Sequence, residues 1–248
     1  MRKKLIAGNW KMNLGLDQVN SLVDGVLEGL KSKKTEHSIM VFPSSIHLPL
    51  VAEKLKGSSI SVGAQNIYPS KLAAFTGEVS CDQLRDFGIS NVLVGHSERR
   101  QFMGETDEFL NKKVHHILSE GMNPMLCVGE TLEEREAGKT FDVVKRQVVK
   151  GLDSVKKEDT SKITIAYEPV WAIGTGKTAT PEQAEEVHAF IRNELKSLYD
   201  SSVSDSMLIL YGGSVKPDNV ASLLSKPNID GGLVGGASQK SDLFLGLL

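Results

Sequence analysis

Eight short apolar runs recur along the chain, and each is followed by a segment whose apolar residues have helical spacing. The runs predict strands at residues 5–7, 39–42, 60–63, 92–95, 124–128, 163–167, 207–211 and 232–235. They show little alternation of apolar and polar residues, which is typical of strands buried on both faces. Strands that alternate with helices eight times favour a closed parallel (β/α)8 barrel, an α/β fold with its helices outside. An open, doubly wound sheet is the alternative, but no Gly-x-Gly-x-x-Gly follows the first run.

Two helical segments show their periodicity clearly. In the clearer one, residues three and four apart share a face: Ala184, Val187, Ile191, Leu195 and Leu198. The other has Leu110, Val114, Ile117 and Leu118. Thr180, Pro181 and Gln183 predict where the first of these helices begins, because they supply an N-cap, a first-turn proline and a capping-box side chain.

Composition is that of an ordinary globular protein, with 248 residues, 40% of them hydrophobic and 24% charged. No shift in composition marks a second domain, and barrels of this length are commonly single domains. We therefore expect one barrel domain over residues 1–248.

Charge and cysteine content exclude several classes. A net charge of −2 makes nucleic acid and anionic membrane surfaces unexpected partners. No run approaches the roughly 18 apolar residues of a membrane span, and the basic start lacks the apolar length of a secretory signal. Two cysteines, Cys81 and Cys127, are too few for a disulfide framework and predict buried, reduced thiols. We expect a cytoplasmic protein.

Glu168 ends the predicted sixth strand, and Pro169 biases it toward an extended backbone. The segment that follows is apolar at residues 170–173 and has glycines at 174 and 176. A carboxylate followed by an apolar segment on glycine hinges is the arrangement of a base beneath a lid. An ordinary strand-to-helix loop with a surface glutamate is the alternative.

Two other strand ends carry candidate chemistry. Lys11 follows the first strand, where a buried ammonium needs an anionic partner or a wet cavity; a surface lysine is the alternative. His96 follows the fourth strand beside a predicted helix start, which disfavours the imidazolium, although a lone histidine is more often structural. Glu98 can orient Lys11 or cap that helix. Arg99 and Arg100 are a solvated face or interface ion pairs.

Glycine pairs end the last two strands, as Tyr-Gly-Gly-Ser-Val at residues 211–215 and Gly-Gly-Ala-Ser at residues 235–238. Glycine lets backbone amides approach a ligand, and barrels commonly bind phosphate at this place. Tight turns also need glycine, so each pair alone is weak evidence. The histidines show no metal spacing, and no Walker loop is present, so we expect neither a metal nor an organic cofactor.

Residues 65–78 form a long predicted loop that carries Ile67, Tyr68, Leu72 and Phe75. Apolar side chains on such a loop indicate a partner surface. A loop folded back on its own barrel is the alternative.

Five segments together resemble the signatures of the triosephosphate isomerase family, in its order and across the whole chain. They are Ala-Gly-Asn-Trp-Lys-Met-Asn, Val-Gly-His-Ser-Glu-Arg-Arg, Ala-Tyr-Glu-Pro-Val-Trp-Ala-Ile-Gly-Thr-Gly-Lys, Tyr-Gly-Gly-Ser-Val and Gly-Leu-Val-Gly-Gly-Ala-Ser. The resemblance implies interconversion of dihydroxyacetone phosphate and D-glyceraldehyde 3-phosphate, in glycolysis and gluconeogenesis. Another barrel enzyme acting on a small sugar phosphate, or an inactive phosphate-binding barrel, is the alternative.

The resemblance implies a role for each candidate. Glu168 is the base, His96 a neutral electrophile and Lys11 the cation, a scheme that describes triosephosphate isomerases in general and is not worked out from this chain. Further implied site residues are Asn9 as a lining residue, Glu98 as support for Lys11, and Cys127 as a supporting residue. The implied phosphate grip consists of Gly174, Ser214, Gly235 and Gly236.

Two loops are implied in the same way. The lid would consist of Pro169, Val170, Trp171, Ala172, Ile173, Gly174, Thr175, Gly176, Lys177, Thr178 and Ala179. The dimer loop would carry Phe75, Thr76, Gly77 and Glu78, with Thr76 reaching the site of a second subunit in a homodimer.

Two residues depart from the family pattern. Ala73 stands where glycine is usual, which would cost of order 1 kcal/mol if that position needs a positive φ, and would weaken the dimer. Gln239 stands where leucine is usual, at the rim of the phosphate loop.

Overall fold

The computed structural model describes residues 2–173 and 178–248. Eight parallel strands close into a barrel in sequence order, with β8 pairing to β1. The strands are β1 (Leu5–Asn9), β2 (Ser38–Phe42), β3 (Ile60–Ala64), β4 (Asn91–Val94), β5 (Asn123–Val128), β6 (Thr164–Tyr167), β7 (Leu208–Tyr211) and β8 (Gly231–Val234). Each predicted strand overlaps an observed one, and no end is displaced by more than two residues. The predicted (β/α)8 barrel is confirmed.

Helices surround the barrel. In the described chain they are α1 (Leu16–Ser32), α2 (Leu48–Lys54), α3 (Cys81–Asp86), α4 (Ser97–Phe102), α5 (Asp107–Ser119), α6 (Leu132–Glu136), α7 (Thr140–Gly151), α8 (Pro181–Leu198), α9 (Ser201–Ser206), α10 (Val220–Leu224) and α11 (Ser241–Leu245). Short 3₁₀ turns lie at Ser45–His47, Lys157–Lys162, Val170–Ala172 and Gly236–Gln239.

The predicted helix signals are confirmed at α5 and α8. Thr180 caps α8 by accepting the Gln183 N–H at 3.2 Å, and the Gln183 side chain accepts the Thr180 N–H at 2.9 Å. Pro181 occupies the first turn. On the apolar face of α8 four of the five predicted residues are buried, while Leu198 at the helix end is 38% exposed.

The core has two layers. Between the barrel and the helices lies the larger layer, to which Ile6, Val41 and Ile165 contribute. Inside the barrel a second cluster fills the interior with side chains, so the barrel is a packed core and not a pore. Its buried members are Leu5, Ala7, Phe42, Leu93, Met125, Cys127, Ala166, Leu210 and Leu233.

The loop at residues 65–78 divides into two parts. Its first part folds back on the barrel, with Ile67 fully buried and the Tyr68 N–H donating to Val79 O at 2.9 Å. Its tip, residues 71–78, is exposed, although the Tyr68 and Phe75 rings stack with centroids 4.1 Å apart. The interpretation of a loop folded back on its own barrel is thus confirmed for the first part, and the partner surface stays a prediction for the exposed tip.

Ala73 carries no left-handed strain. In the described chain, the non-glycine residues with positive φ are Lys11, Leu14 and Ser154. The position of Ala73 therefore does not need glycine, and the expected cost to the loop is absent.

Candidate active site

A cavity of about 740 Å³ opens at the carboxyl ends of the strands. It brings together side chains that follow five different strands. The predicted site residues that line it are Asn9, Lys11, His96, Glu168, Ser214, Gly235 and Gly236. Gln239, where the sequence departs from the family pattern, lines it as well.

Glu168 directly follows β6 and is 2% exposed. Its backbone N–H donates to Val128 O at 2.7 Å, which extends the pairing of β6 with β5 by one residue. Its carboxylate Oε2 accepts the Ser97 N–H at 3.0 Å. The base candidate is therefore held by a rigid strand end and rests on a helix start.

His96 is the N-cap of α4 and is buried. Its Nδ1 accepts the Glu98 N–H at 3.3 Å, so the hydrogen-bond network assigns the ring hydrogen to Nε2. That nitrogen lies 3.1 Å from Glu168 Oε1. Glu98 Oε2 also lies 3.4 Å from Nδ1, but a backbone N–H is a permanent donor, and we assign Nδ1 to it. The geometry favours a neutral imidazole that donates into the cavity.

Lys11 leaves β1 with φ of 55°, a left-handed conformation that costs an L-residue about 1–2 kcal/mol. Its N–H donates to Asn9 Oδ1 at 3.0 Å, and its Nζ lies 2.6 Å from Glu98 Oε1. Glu98 was predicted either to orient Lys11 or to cap α4. Its side chain contacts Lys11, and the N-cap of α4 is His96. Strained backbone at such a place is typical of functional sites.

The glycine pairs after β7 and β8 lie at the same cavity as these side chains. A Cβ on Gly236 would meet nothing within 4 Å, and one on Gly235 would lie 3.8 Å from Lys11 Cε. The backbone of Ser214 is held by a hydrogen bond, because Asn219 Nδ2 donates to its carbonyl at 3.1 Å. Gly174, the remaining member of the predicted phosphate grip, lies outside the described residues.

The amino-terminal part of the predicted lid is anchored to Glu130. The Val170 N–H donates to Glu130 O at 3.0 Å, and Trp171 Nε1 donates to Glu130 Oε1 at 2.9 Å. Arg135 stacks over the Trp171 ring at 4.5 Å from its centroid. Ala172 and Ile173 line the cavity.

The far part of the predicted lid is described only at its end. Gly174, Thr175, Gly176 and Lys177 lie outside the described residues. Of the remaining two, Thr178 is exposed and Ala179 is buried next to the cap of α8.

Cys127 lies inside the barrel beneath Glu168 and is fully buried. Burial raises the pKa of its thiol well above the usual value, and the nearby Glu168 carboxylate adds to that shift. The thiol is therefore protonated at neutral pH. It packs against the base and is not a nucleophile.

Two glycines let the backbone approach Glu168 more closely than any side chain would allow. A Cβ on Gly129 would lie 1.7 Å from Glu168 O, and one on Gly212 would lie 2.7 Å from Glu168 Cγ. Sequence reasoning did not single out either glycine for this contact. The only sequence signal was the position of each glycine directly after a strand.

Three further contributors were also missed. Ser97 holds the base through its backbone, which no side-chain pattern reveals. Glu130 lies two residues after the end of β5, and a carboxylate so near a strand end was a usable signal. Gln65 holds the backbone of Lys11, and nothing in the sequence points to this contact.

The residues of the predicted dimer loop stand apart from the cavity. Phe75, Thr76, Gly77 and Glu78 are all exposed, and none of them lines it. Within residues 2–173 and 178–248, no group of three or more His, Cys, Asp or Glu side chains is placed to hold a metal ion. No helix in that part of the chain is long and apolar enough to cross a bilayer.

Comparison with known proteins identifies the family. Residues 4–248 match the family model described as triosephosphate isomerase. The chain belongs to the triosephosphate isomerase family. A triosephosphate isomerase of Leptospira biflexa serovar Patoc is 58% identical over 250 residues, covering 100% of both chains. That of Treponema denticola is 51% identical over 245 residues, covering 99% of this chain and 97% of its own.

A triosephosphate isomerase of Endomicrobium trichonymphae is 50% identical over 248 residues, covering 100% of this chain and 98% of its own. These full-length matches confirm the resemblance that the five signature segments predicted.

Proposed function

We propose that this chain interconverts dihydroxyacetone phosphate and D-glyceraldehyde 3-phosphate by proton transfer through an enediolate, as an aldose–ketose isomerase of glycolysis and gluconeogenesis. One observation carries the proposal. A buried carboxylate, Glu168 Oε1, lies 3.1 Å from a neutral imidazole, His96 Nε2, in a cavity that also holds the Lys11 ammonium. Membership of the triosephosphate isomerase family supports the same reaction.

Glu168 is the general base in this proposal. Isomerisation removes a proton from one carbon and returns one to its neighbour, and a single carboxylate can reach both. Rotation about its side-chain bonds carries the Glu168 carboxylate from the Ser97 N–H into the cavity, while its backbone stays paired to Val128. Such a base contributes about 10²–10⁴ in rate.

His96 and Lys11 stabilise the charge that develops on the substrate oxygens. The neutral His96 ring donates from Nε2, and its Nδ1 acceptor bond from Glu98 keeps the hydrogen there. The Lys11 ammonium, held by Glu98, supplies the positive charge. Donors fixed before the reaction need no reorganisation when the negative charge forms, which is how such sites lower the barrier.

The glycine ends of β7 and β8 would bind the phosphate through backbone amides, at Ser214, Gly235 and Gly236, with Gly174 contributing from the lid. Fixing the phosphate matters because the enediolate loses phosphate when its torsions are free and water is present. The lid, residues 169–179, would exclude that water. No step in this scheme uses a metal or an organic cofactor.

We further propose a homodimer. Large apolar side chains are exposed on the loops and adjoining helix ends that follow β1 to β4, at Met12, Leu16, Ile46, Leu72, Phe75, Phe102 and Met103. These loops lie on one side of the cavity rim. An exposed apolar surface of this kind marks an interface, and a second copy of the chain would cover it. Its Thr76 would reach toward the first copy's site.

The cytoplasm is the compartment that fits the proposed reaction. Both described cysteines are buried and unpaired, which suits a reducing environment.

A coupled assay with purified protein tests the activity. Dihydroxyacetone phosphate should form from D-glyceraldehyde 3-phosphate, and the reverse, without added metal and with a chelator present. Faster turnover of another small sugar phosphate would favour a different barrel enzyme. Binding of the triose phosphate with no turnover would favour the inactive phosphate-binding barrel.

A further inference from the structure

The backbone around Lys11 is held by side-chain amides. Gln65 Nε2 donates to Lys11 O at 2.8 Å and to Phe42 O at 2.9 Å. On the other side of the residue, the Lys11 N–H donates to Asn9 Oδ1 at 3.0 Å. Both peptide groups of Lys11 are thereby fixed.

Gln65 is placed to connect three strands. It follows the last residue of β3, and Phe42 is the last residue of β2. Phe42 O also accepts the Trp10 N–H at 3.1 Å, which is the last bond before the chain leaves β1 and turns at Lys11. A primary amide has two N–H hydrogens, and Gln65 uses them on two carbonyls. It therefore ties the turn at Lys11 to the sheet.

The turn needs such a restraint because a lysine disfavours the left-handed region that it occupies here. If the Lys11 peptide relaxed to a common conformation, its Cα–Cβ bond would point elsewhere and its ammonium would leave the cavity. Gln239 Nε2 lies 3.4 Å from Trp10 O, in the peptide group before Lys11, and this distance is near the limit of a hydrogen bond. Gln65, at 2.8 Å from Lys11 O, makes the shorter bond and holds the peptide group after Lys11.

We propose that Gln65 is a positioning residue, which holds Lys11 in its left-handed conformation and so fixes the place of its ammonium in the cavity. The inference rests on the proposed function, because Lys11 must be the site cation for its placement to matter. Gln65 itself does not line the cavity and acts through Lys11.

The test replaces the amide with an unbranched apolar chain of the same length, Gln65→Met. The matched control is Gln83→Met. Gln83 is also a glutamine whose side chain bonds a backbone group, accepting the Ser80 N–H at 3.0 Å, but it is exposed and makes a capping box on α3. Affinity for sn-glycerol 3-phosphate, which has the phosphate and carbon skeleton of the substrate without a carbonyl, is measured together with kcat and KM.

We expect Gln65→Met to weaken that affinity about 5- to 30-fold, the effect of leaving the Lys11 carbonyl without a fixed donor. Gln83→Met should change melting temperature and leave affinity within about twofold. In a Lys11→Met background, Gln65→Met should weaken affinity by less than about twofold further, because the group that it positions is gone. A purely structural role for Gln65 would not give this non-additivity.

The outcomes separate the two proposals. Unchanged affinity in Lys11→Met alone would remove Lys11 as the site cation, and the role of Gln65 with it. A weakened Lys11→Met beside an unchanged Gln65→Met, or equal losses from Gln65→Met in both backgrounds, would overturn the role of Gln65 and leave the proposed function standing. If Gln65→Met does not fold, Gln65→Asn replaces it, since its shorter side chain cannot reach both carbonyls.

Discussion

At the scale of the single residue, Glu168 is a buried carboxylate whose oxygens face two donors, the Ser97 N–H and His96 Nε2. Both donors carry no charge in the network described, so the carboxylate is held without an ion pair to a cation at these positions. Neither contact is an ion pair that would hold the carboxylate in place, so it can rotate away from its resting position, as a mobile proton carrier must.

Glu168→Gln should lower kcat by about 10²–10⁴, because the amide cannot accept the proton. Affinity for sn-glycerol 3-phosphate should stay within a few-fold, since the amide oxygen can still accept the Ser97 N–H. Glu133→Gln, which removes an exposed carboxylate from α6, is the control and should leave kcat unchanged. A kcat for Glu168→Gln within tenfold of the unsubstituted enzyme would remove it from the base role.

His188 gives a residue-scale prediction about pH. It is fully buried, and its Nδ1–H donates to Asn228 O at 3.2 Å. Burial lowers the pKa of His188 to about 4, against an ordinary value of 6.5. Between these two pKa values the His188 side chain is protonated in the unfolded chain and neutral in the folded chain. Stability from this group is therefore complete at pH 7 and is lost as pH falls.

Between pH 7 and pH 5 the loss should be about 2 kcal/mol in the free energy of unfolding. Denaturant unfolding at one fixed protein concentration measures it, and His188→Asn should lack that part of the pH dependence. Equal pH dependence in both proteins would contradict the assigned shift.

At the scale of the element, the site depends on how strand ends and helix starts are joined. β5 and β6 stay in contact beyond their last sheet residues, because Gly129 allows the Glu168 carbonyl to lie against its α-carbon. The carboxylate of Glu168 lies at the N-terminus of helix α4. That N-terminus contributes the Ser97 N–H, which donates to the carboxylate, and His96, which is the N-cap.

Gly129→Ala should lower kcat by about 100-fold, since its Cβ would lie 1.7 Å from Glu168 O and would displace the base by a large part of an ångström. Gly15→Ala is the control. Its φ of −81° suits alanine, and its Cβ would approach nothing closer than 3.8 Å. Normal kcat in Gly129→Ala would show that the base does not depend on this contact.

Helix α8 directly follows the predicted lid, and its cap fixes where the lid's far end is attached. Thr180→Ala should lower the free energy of unfolding by about 1 kcal/mol, because the Gln183 N–H loses its acceptor. Thr180→Ser keeps the hydroxyl and should retain most of that stability. Equal losses in the two variants would mean that the cap contributes nothing through its oxygen.

At the scale of the whole molecule, the polar cavity and the exposed apolar loops occupy the same end of the barrel. The segments after β1 and β4 carry Lys11 and His96, together with the exposed side chains of Met12 and of Phe102 at the end of α4. A partner that covers those loops therefore also restricts the motion of the site. Assembly and activity should be coupled.

Phe75→Asp should shift the protein toward monomers and lower the activity per chain. Dimer formation would remove the new carboxylate from water and bury it against apolar side chains, which costs free energy. Phe87→Asp is the control, since Phe87 is 49% exposed and Phe75 is 44% exposed, but Phe87 follows α3 at the other end of the barrel. Sedimentation and activity are measured over a dilution series. A concentration-independent monomer with full activity in the unsubstituted chain would exclude the dimer.

Much of this architecture could be predicted from local pattern. Buried strands without alternation, helices with a repeat of three and four, and the capping signal of Thr180 and Gln183 are all short-range properties of sequence. They report backbone preference and burial, so the barrel and the start of α8 followed directly. The apolar runs also placed Glu168, His96 and Lys11 at strand ends, and the family's signature segments then implied their roles.

Contacts between distant backbones could not be predicted in this way. The Ser97 N–H that holds Glu168, the Gly129 contact and the Gln65 amide depend on the distance between segments far apart in sequence, and carry no local pattern. The conformation of Ala73 is a similar case, since the family preference for glycine does not reveal φ.

The sequence by itself determined the (β/α)8 barrel and the strand ends that carry candidate chemistry, because hydrophobic period and residue type act locally. The roles of base, electrophile and cation came from the family resemblance. Only the tertiary structure decided which nitrogen of His96 donates, what holds Glu168 at rest, and why Lys11 stands in a strained turn. Those properties arise from hydrogen bonds and close approaches between strand ends, and the closure of the barrel creates them.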